Sequence, residues 1–352
     1  MHPRDISDLN ASLLRLADQI AREMGLPIKH AVNRADFSAR LSELVRRQTD
    51  SSIRLYGFRA QHMFAYVIAA LGEVAVITEE DQGIFFDSSG LLTRPDFRIQ
   101  TKKGSQILVE VKNFRASSID DCFVIGEKYL ERLANYSSTV GIPLKIAVYW
   151  VGWNCWTLID PSRLSLEGRK FRLSIMEAMK INEMGLLGDV HVGTEVPLVM
   201  RLHADLTKPR SIDLHGLAPF TIGRVTLHVG GKEITNQLEI KIAALLIFFG
   251  KWGDVKTPVA VSGGLVDHFD FIVQPEIISE GQGFELVGSM SQIVSNQYLY
   301  STSEKEGVTS LAPKSDVKEF GVLIPDSYQG QVLKLWRFQQ MPNTFEGEES
   351  ES

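Results

Sequence analysis

The chain has 352 residues, a formal net charge of -6, 44% hydrophobic residues and 23% charged residues. This composition is typical of a folded globular protein and excludes collagen-like, low-complexity and wholly disordered chains. Because acidic and basic residues nearly balance, net charge predicts no general attraction to nucleic acid or to an anionic membrane, so binding to either requires a local cluster of charges.

The cysteine content and the hydropathy pattern bear on the compartment. Cys122 and Cys155 are too few for a disulfide framework or a cysteine-based zinc site. The longest apolar run, residues 242–249, is much too short to span a membrane, and the charged, amphipathic start of the chain does not resemble a secretory signal. We therefore expect a cytoplasmic protein that does not bind membranes.

Helical patterns open the chain. Apolar residues recur at helical spacing between Leu9 and Ile20, and again between Phe37 and Val45, where Asp36 is a candidate N-cap. We assign residues 1–49 to an N-terminal helical segment. A third helix is predicted over residues 53–71, and Gly72 is its expected C-terminal stop.

The next part of the chain alternates with a period of two. The pattern predicts strands over residues 74–78, 96–101 and 106–112, and a strand and turn over 83–90. A helix over 119–136 and a buried strand over 144–150 are predicted to follow. A helix, three strands, a helix and a further strand imply an α/β fold in which helices flank a mixed sheet. We place this domain at residues 50–165.

The remaining sequence predicts a smaller α+β domain over residues 166–340. Its expected elements are a helix over 171–184, strands over 196–202, 220–229 and 269–273, and a helix ending at Gly250. Asn236 and Glu239 stand at capping-box spacing at the start of that helix. Four glutamates lie within the last seven residues, and we expect residues 341–352 to form a disordered acidic tail.

A predicted hairpin, residues 94–114, carries the informative chemistry. Burying the apolar residues of both strands on one face requires paired residue numbers with an even sum, and a sum of 208 would place Asp96 opposite Lys112 and Arg98 opposite Glu110. Two carboxylates on one face provide the oxygen ligands that Mg²⁺ prefers. A nearby lysine can orient or deprotonate a water and offset charge on a phosphate. The pattern favours phosphodiester hydrolysis.

The residues Pro95-Asp96 and Glu110-Val111-Lys112 resemble the PD-(D/E)xK motif of the restriction-endonuclease-like nuclease superfamily. The resemblance covers about a third of the chain, residues 50–165. It implies that Asp96, Glu110 and the main-chain carbonyl of Val111 bind the metal and that Lys112 is the catalytic lysine. Many members carry a glutamate on the first helix, shortly after a glycine; Gln61 occupies that place here, after Gly57.

Further residues are candidates for contact with nucleic acid. Lys128, Arg132 and Tyr136 share a helix face at i, i+4 and i+8. Asn113 and Arg115 follow the motif lysine, and Arg98 belongs to the polar face of the hairpin. The alternative for the helix is a solvated basic stripe that pairs with neighbouring glutamates.

The leading hypothesis is a Mg²⁺-dependent endonuclease, with Mn²⁺ able to substitute, that acts on DNA rather than RNA. We expect a homodimer, since cutting both strands commonly uses two such sites. Two alternatives remain open: a catalytically inactive nucleic-acid-binding or scaffold protein of the same fold, and a regulatory protein in which residues 166–340 bind a ligand. The hairpin charges could also be simple ion pairs on a solvated face.

Overall fold

The computed structural model describes residues 6–81, 83–305, 307–313, 324–325 and 327–343. The helices are α1 (Ile6–Glu23), α2 (Ile28–Ala31), α3 (Ala35–Asp50), α4 (Ser52–Leu71), α5 (Glu127–Val140), α6 (Ile175–Lys180), α7 (Gln237–Phe249) and α8 (Met290–Thr302). The strands are β1 (Val74–Glu79), β2 (Phe97–Thr101), β3 (Gln106–Phe114), β4 (Cys122–Gly126), β5 (Leu144–Trp150), β6 (Cys155–Ile159), β7 (Ser165–Glu167), β8 (Lys170–Ser174), β9 (His191–Thr194), β10 (Leu198–Ala204), β11 (Ile222–Val229), β12 (Lys232–Ile234), β13 (Val259–Ser262), β14 (Leu265–Val273), β15 (Glu285–Ser289), β16 (Ser303–Glu304), β17 (Gly307–Val308) and β18 (Leu335–Phe338). Most of the predicted acidic tail, residues 344–352, lies outside the described residues. In the described ranges, none of the helices is long and apolar enough to cross a membrane.

The first sheet has five strands in the order β1-β2-β3-β5-β6. Only the β3–β5 pair is parallel, so the expected mixed sheet is confirmed. Helix α4 covers one face, where Phe64 packs with Ile99 and Val109. Helix α5 covers the other face, where Leu133 packs with Leu108. The two helices therefore enclose β3, which carries the motif residues, from both sides.

The register of the β2–β3 hairpin differs from the predicted one. Phe97 pairs with Val109 and Ile99 with Ile107, so the pairing sum is 206 rather than 208. The turn closes early because the Thr101 N–H donates to the Ser105 carbonyl oxygen at 2.9 Å. Since the sum remains even, every side chain keeps its predicted face. The extended register brings Asp96, rather than Arg98, opposite Glu110.

The predicted helix over residues 119–136 is partly wrong. Strand β4 precedes it and pairs with β8 outside the main sheet, and α5 begins only at Glu127. The predicted helix over 171–184 is likewise replaced by β8, the short helix α6 and a 3₁₀ turn. Residues 83–90 form no strand. Residues of β4 and β8 form strands because they pair with each other, and residues 83–90 form none because no strand in the described part of the chain pairs with them. Pairing between strands therefore outweighs the local apolar spacing.

The N-terminal helices are confirmed, with one difference at a cap. Helix α3 begins one residue before Asp36, and Arg34 occupies its N-cap position. Asp36 accepts a hydrogen bond from the Arg34 side chain at 2.9 Å instead of capping a main-chain N–H. The cap assignment was therefore wrong, although the helix itself is present.

Helix α8, which the sequence patterns did not reveal, joins two cores. Its Val294 and Tyr298 belong to the core beneath α4, whereas Met290 and Ile293 belong to the core of the second sheet. The indole N–H of Trp156 donates to Ser295 at 3.0 Å. The division of the chain at residue 165 stays a prediction. Residues of α8, which lie after that division, complete the first core.

A second five-stranded sheet, β12-β11-β10-β14-β13, is antiparallel throughout and packs against α7. Asn236 caps α7 by accepting from the Leu238 and Glu239 N–H groups. Glu239 does not close the expected capping box. Its side chain accepts hydrogen bonds from three main-chain N–H groups instead, those of Gln331, Val332 and Leu333.

We expect Glu239→Ala to lower the free energy of unfolding by at least about 2 kcal/mol, because it removes the acceptor of three main-chain N–H groups, one in a buried and two in part-buried hydrogen bonds. Chemical denaturation measures this loss. Glu233→Ala removes an exposed carboxylate and should change stability by less than about 0.5 kcal/mol. Equal effects of the two substitutions would show that Glu239 does not anchor the C-terminal segment.

Candidate active site

Two acidic side chains lie buried at the junction of β2 and β3. Asp96 immediately precedes β2 and is 7% exposed, while Glu110 lies within β3 and is 2% exposed. Carboxylates are rarely buried to this extent without compensating partners. The partners of each acid therefore define what the site can do.

Asp96 is held by α4 and β3. The Gln61 amide nitrogen donates to one carboxylate oxygen at 2.6 Å, and the Val111 N–H donates to the other at 2.6 Å. Gln61 reaches the acid because the buried residues of α4, among them Phe64, fix that helix against the sheet. Burial raises the pKa of Asp96 to about 8; Glu110 acts in the same direction, and the Val111 N–H opposes it.

Glu110 is held by a lysine and a tyrosine. The Lys112 ammonium and the Tyr129 hydroxyl both donate to the same carboxylate oxygen, the latter at 2.6 Å. The ammonium also lies 4.8 Å from the centre of the Tyr129 ring. Burial and then the Glu110 charge raise the pKa of Tyr129, so its hydroxyl remains a donor.

Sequence reasoning missed Tyr129. It stands seven residues, or two helical turns, before Tyr136, so the two tyrosines share a face of α5. The prediction for this helix was based on its charged residues and started at Lys128, one residue before Tyr129. The structure leaves Lys128 exposed. Helical spacing from Tyr136 could have identified Tyr129.

The raised pKa of Asp96 predicts a stability that depends on pH. Between the ordinary carboxyl pKa of about 4 and about 8, the folded protein binds more protons than the unfolded chain at this group. In EDTA, we expect the free energy of unfolding to fall as pH rises through this range, by up to about 1.4 kcal/mol per pH unit. Asp96→Asn cannot titrate, so the difference between its denaturation curve and that of the wild type isolates the effect. A difference that stays constant from pH 5 to pH 8 would contradict the prediction.

Arg98 and Tyr136 lie together in an internal network. The Arg98 guanidinium binds both carboxylate oxygens of Glu80, at 3.0 and 2.6 Å. The Tyr136 hydroxyl donates to the same carboxylate, and its side chain is buried. The Glu80 N–H donates to the Asp96 carbonyl oxygen at 2.8 Å. Both residues thus hold Glu80, just after β1, beside Asp96 at the start of β2, and their contact with nucleic acid stays a prediction.

The other predicted nucleic-acid contacts lie on the surface. Lys128 and Arg115 are exposed. Arg132 donates to Thr93 at 2.9 Å and to the Leu92 carbonyl oxygen at 3.0 Å. The Asn113 amide lies 3.5 Å from the Tyr56 carbonyl oxygen.

A small cleft opens beside Asp96. It has a volume of about 30 Å³, room for one or two water-sized groups. Its lining includes Gln61, His62, Glu79, Asp81 and Phe58. In the part of the chain that the structure describes, no group of three or more His, Cys, Asp or Glu side chains is placed to hold a metal. A cation here would therefore depend on two carboxylates together with main-chain oxygen and water.

Comparison with known proteins adds a structural similarity. No family model and no curated protein matches the chain. The structure is similar to that of Hjc, a Holliday junction resolvase from the archaeal hyperthermophile Archaeoglobus fulgidus, over 38% of this chain and 96% of that chain. The two are 12% identical, with a TM-score of 0.30. Similarity at that level carries no functional argument, so the case for function depends on the site.

Proposed function

We propose that this chain is a Mg²⁺-dependent endonuclease that hydrolyses phosphodiester bonds in DNA. One observation carries the proposal: Asp96 and Glu110, both more than nine-tenths buried, come from adjacent strands, and Lys112 binds one of them. With Asp96 mostly protonated at neutral pH, Lys112 alone balances Glu110. Ionising both acids at this depth requires a second positive charge, which a bound cation would supply. We infer that the two acids are buried at this position because they take part in catalysis.

The donor set suits a hard divalent cation. Asp96 and Glu110 supply carboxylate oxygens, and Mg²⁺ is typically bound by one or two carboxylates together with waters. The Val111 N–H points toward Asp96, and the N–H and C=O of a strand residue point to the same side. The Val111 carbonyl therefore faces the same edge of β3. Mn²⁺ prefers the same oxygen ligands and should substitute.

The resident side chains have distinct tasks in this proposal. A cation held by Asp96 and Glu110 would supply Lewis-acid chemistry, polarising a phosphoryl oxygen and lowering the pKa of a water. Gln61 fixes the orientation of Asp96, while Tyr129 and Lys112 fix Glu110. Lys112 is 30% exposed at its side chain, so its ammonium can also reach a water or a phosphate and offset negative charge there.

Incubation of the purified protein with supercoiled, linear and single-stranded DNA and with RNA tests the proposal. We expect Mg²⁺ or Mn²⁺ to support DNA cleavage, EDTA to abolish it, and RNA to be the poorer substrate. Because double-strand cutting commonly needs two sites, light scattering should give the mass of a homodimer. If no DNA is cleaved with either metal, the endonuclease proposal fails.

A further inference from the structure

A loop beside the candidate active site exposes an unusual amount of apolar surface. We call residues 83–92, between β1 and β2, the apolar loop. Ile84 is 70% exposed, Phe86 91% and Leu91 58%. A single exposed apolar residue is ordinary, but several in one short segment mark a surface that contacts something else.

Hydrogen bonds hold the backbone of the apolar loop in place. Asp87 accepts hydrogen bonds from the Ser89 and Leu92 N–H groups, each at 2.8 Å. The Arg94 guanidinium donates to the Gly83 carbonyl oxygen at 3.1 Å, and Arg132 donates to that of Leu92. Hydrogen bonds therefore fix the backbone at both ends of the loop, so the positions from which the exposed side chains project are defined.

Contacts place the apolar loop next to the carboxylates. The Phe85 ring lies 5.9 Å from that of Tyr136 and 5.0 Å from the Arg94 guanidinium. Arg94 also donates to the main-chain carbonyl of Asp81, which lines the cleft beside Asp96. The loop and the cleft are thus linked through Asp81 and Arg94. The loop residues do not line the cleft itself, so a ligand must be larger than the cleft, as a polynucleotide is, to extend from it onto the loop.

The charges around the loop favour nucleic acid as the occupant. Arg94 and Arg132 lie at its base, and Lys128 lies one helical turn from Arg132 on α5. Cations that can contact phosphates, together with an exposed aromatic ring, are the combination that proteins use to separate stacked bases. If the loop bound a protein instead, its position beside residues suited to phosphodiester chemistry would have no explanation.

We propose that Phe86, supported by Ile84, inserts at a base step next to the scissile phosphate and stacks on the base it exposes. This inference rests on the proposed endonuclease function and narrows its substrate to DNA whose bases are unstacked where it is cut. Duplexes with unpaired bases near the cleavage position are the preferred substrates, because part of the unstacking cost is already met.

The test measures cleavage and base unstacking separately in the full-length protein. Duplexes carry 2-aminopurine at successive positions, and its fluorescence rises when it leaves the stack. With Ca²⁺ in place of Mg²⁺ to prevent cleavage, we expect the wild type to raise the fluorescence at one position and Phe86→Ala to leave it unchanged. With Mg²⁺, Phe86→Ala should cleave a fully paired duplex about tenfold more slowly, and a duplex with unpaired bases at most about threefold more slowly.

Two further variants complete the test. Phe86→Trp retains an aromatic ring and should restore both the fluorescence change and the cleavage rate. Leu214→Ala removes a fully exposed apolar side chain between β10 and β11 and should behave as the wild type. If the wild type cleaves DNA but Phe86→Ala matches it on both duplexes, the wedge inference is wrong and the endonuclease stands. If the wild type neither cleaves nor unstacks any duplex, both proposals are overturned.

Discussion

Lys112→Met is expected to slow Mg²⁺-dependent DNA cleavage by at least about 10²-fold while the fold is retained. The substitution removes the ammonium that binds Glu110 and that we assign to the attacking water and the phosphate. Methionine keeps most of the apolar length of the side chain, so packing against Tyr129 should survive. Single-turnover cleavage rates measure the loss, and circular dichroism checks the fold.

A matched lysine on the same hairpin provides the control. Lys103 lies in the β2–β3 turn with its side chain 83% exposed, at the opposite end from the acids. Lys103→Met should cleave DNA at the wild-type rate. Should Lys112→Met retain full activity, the cleavage belongs to another site or to a contaminant, and the assignment of Asp96 and Glu110 falls with it.

Tyr298→Ala should lower the free energy of unfolding by about 3 to 5 kcal/mol, the range found when large buried aromatic side chains are truncated. Tyr298 is fully buried on α8, where its ring lies 5.8 Å from that of Tyr66 on α4. Its hydroxyl also donates to the Leu311 carbonyl oxygen. Urea denaturation followed by tryptophan fluorescence gives the value.

Tyr300, two residues further along the same helix, is 79% exposed. Tyr300→Ala should therefore cost less than about 1 kcal/mol. The prediction is contradicted if the two substitutions lower the free energy of unfolding equally, or if Tyr298→Ala lowers it only slightly. Either result would mean that α8 does not complete the first core.

The strands that carry the motif were predictable because burial imposes a strict alternation on them. Phe97, Ile99 and Val109 had to share one face, and that requirement fixed the parity of the register. It could not fix the register itself, since a shift of two residues preserves every face. The side chain of Thr101, which accepts a hydrogen bond from the Ser105 N–H at 3.1 Å, helps select the observed turn.

Other features depend on distant partners that no local pattern encodes. Strand β4 forms because β8 pairs with it, and β8 follows more than forty residues later. Helix α8 is buried on two sides, so its sequence lacks the single apolar stripe that identifies a surface helix. Tyr129 was overlooked because charge, rather than helical spacing, guided the choice of face on α5.

Helix α8 has a thermodynamic consequence. Because Met290 and Val294 insert into different cores, neither core can lose α8 without exposing part of the other. The two sheets are therefore expected to melt in one cooperative transition. A small molecule that binds only the second sheet would raise the melting temperature of the whole chain, including the strands that hold the acids.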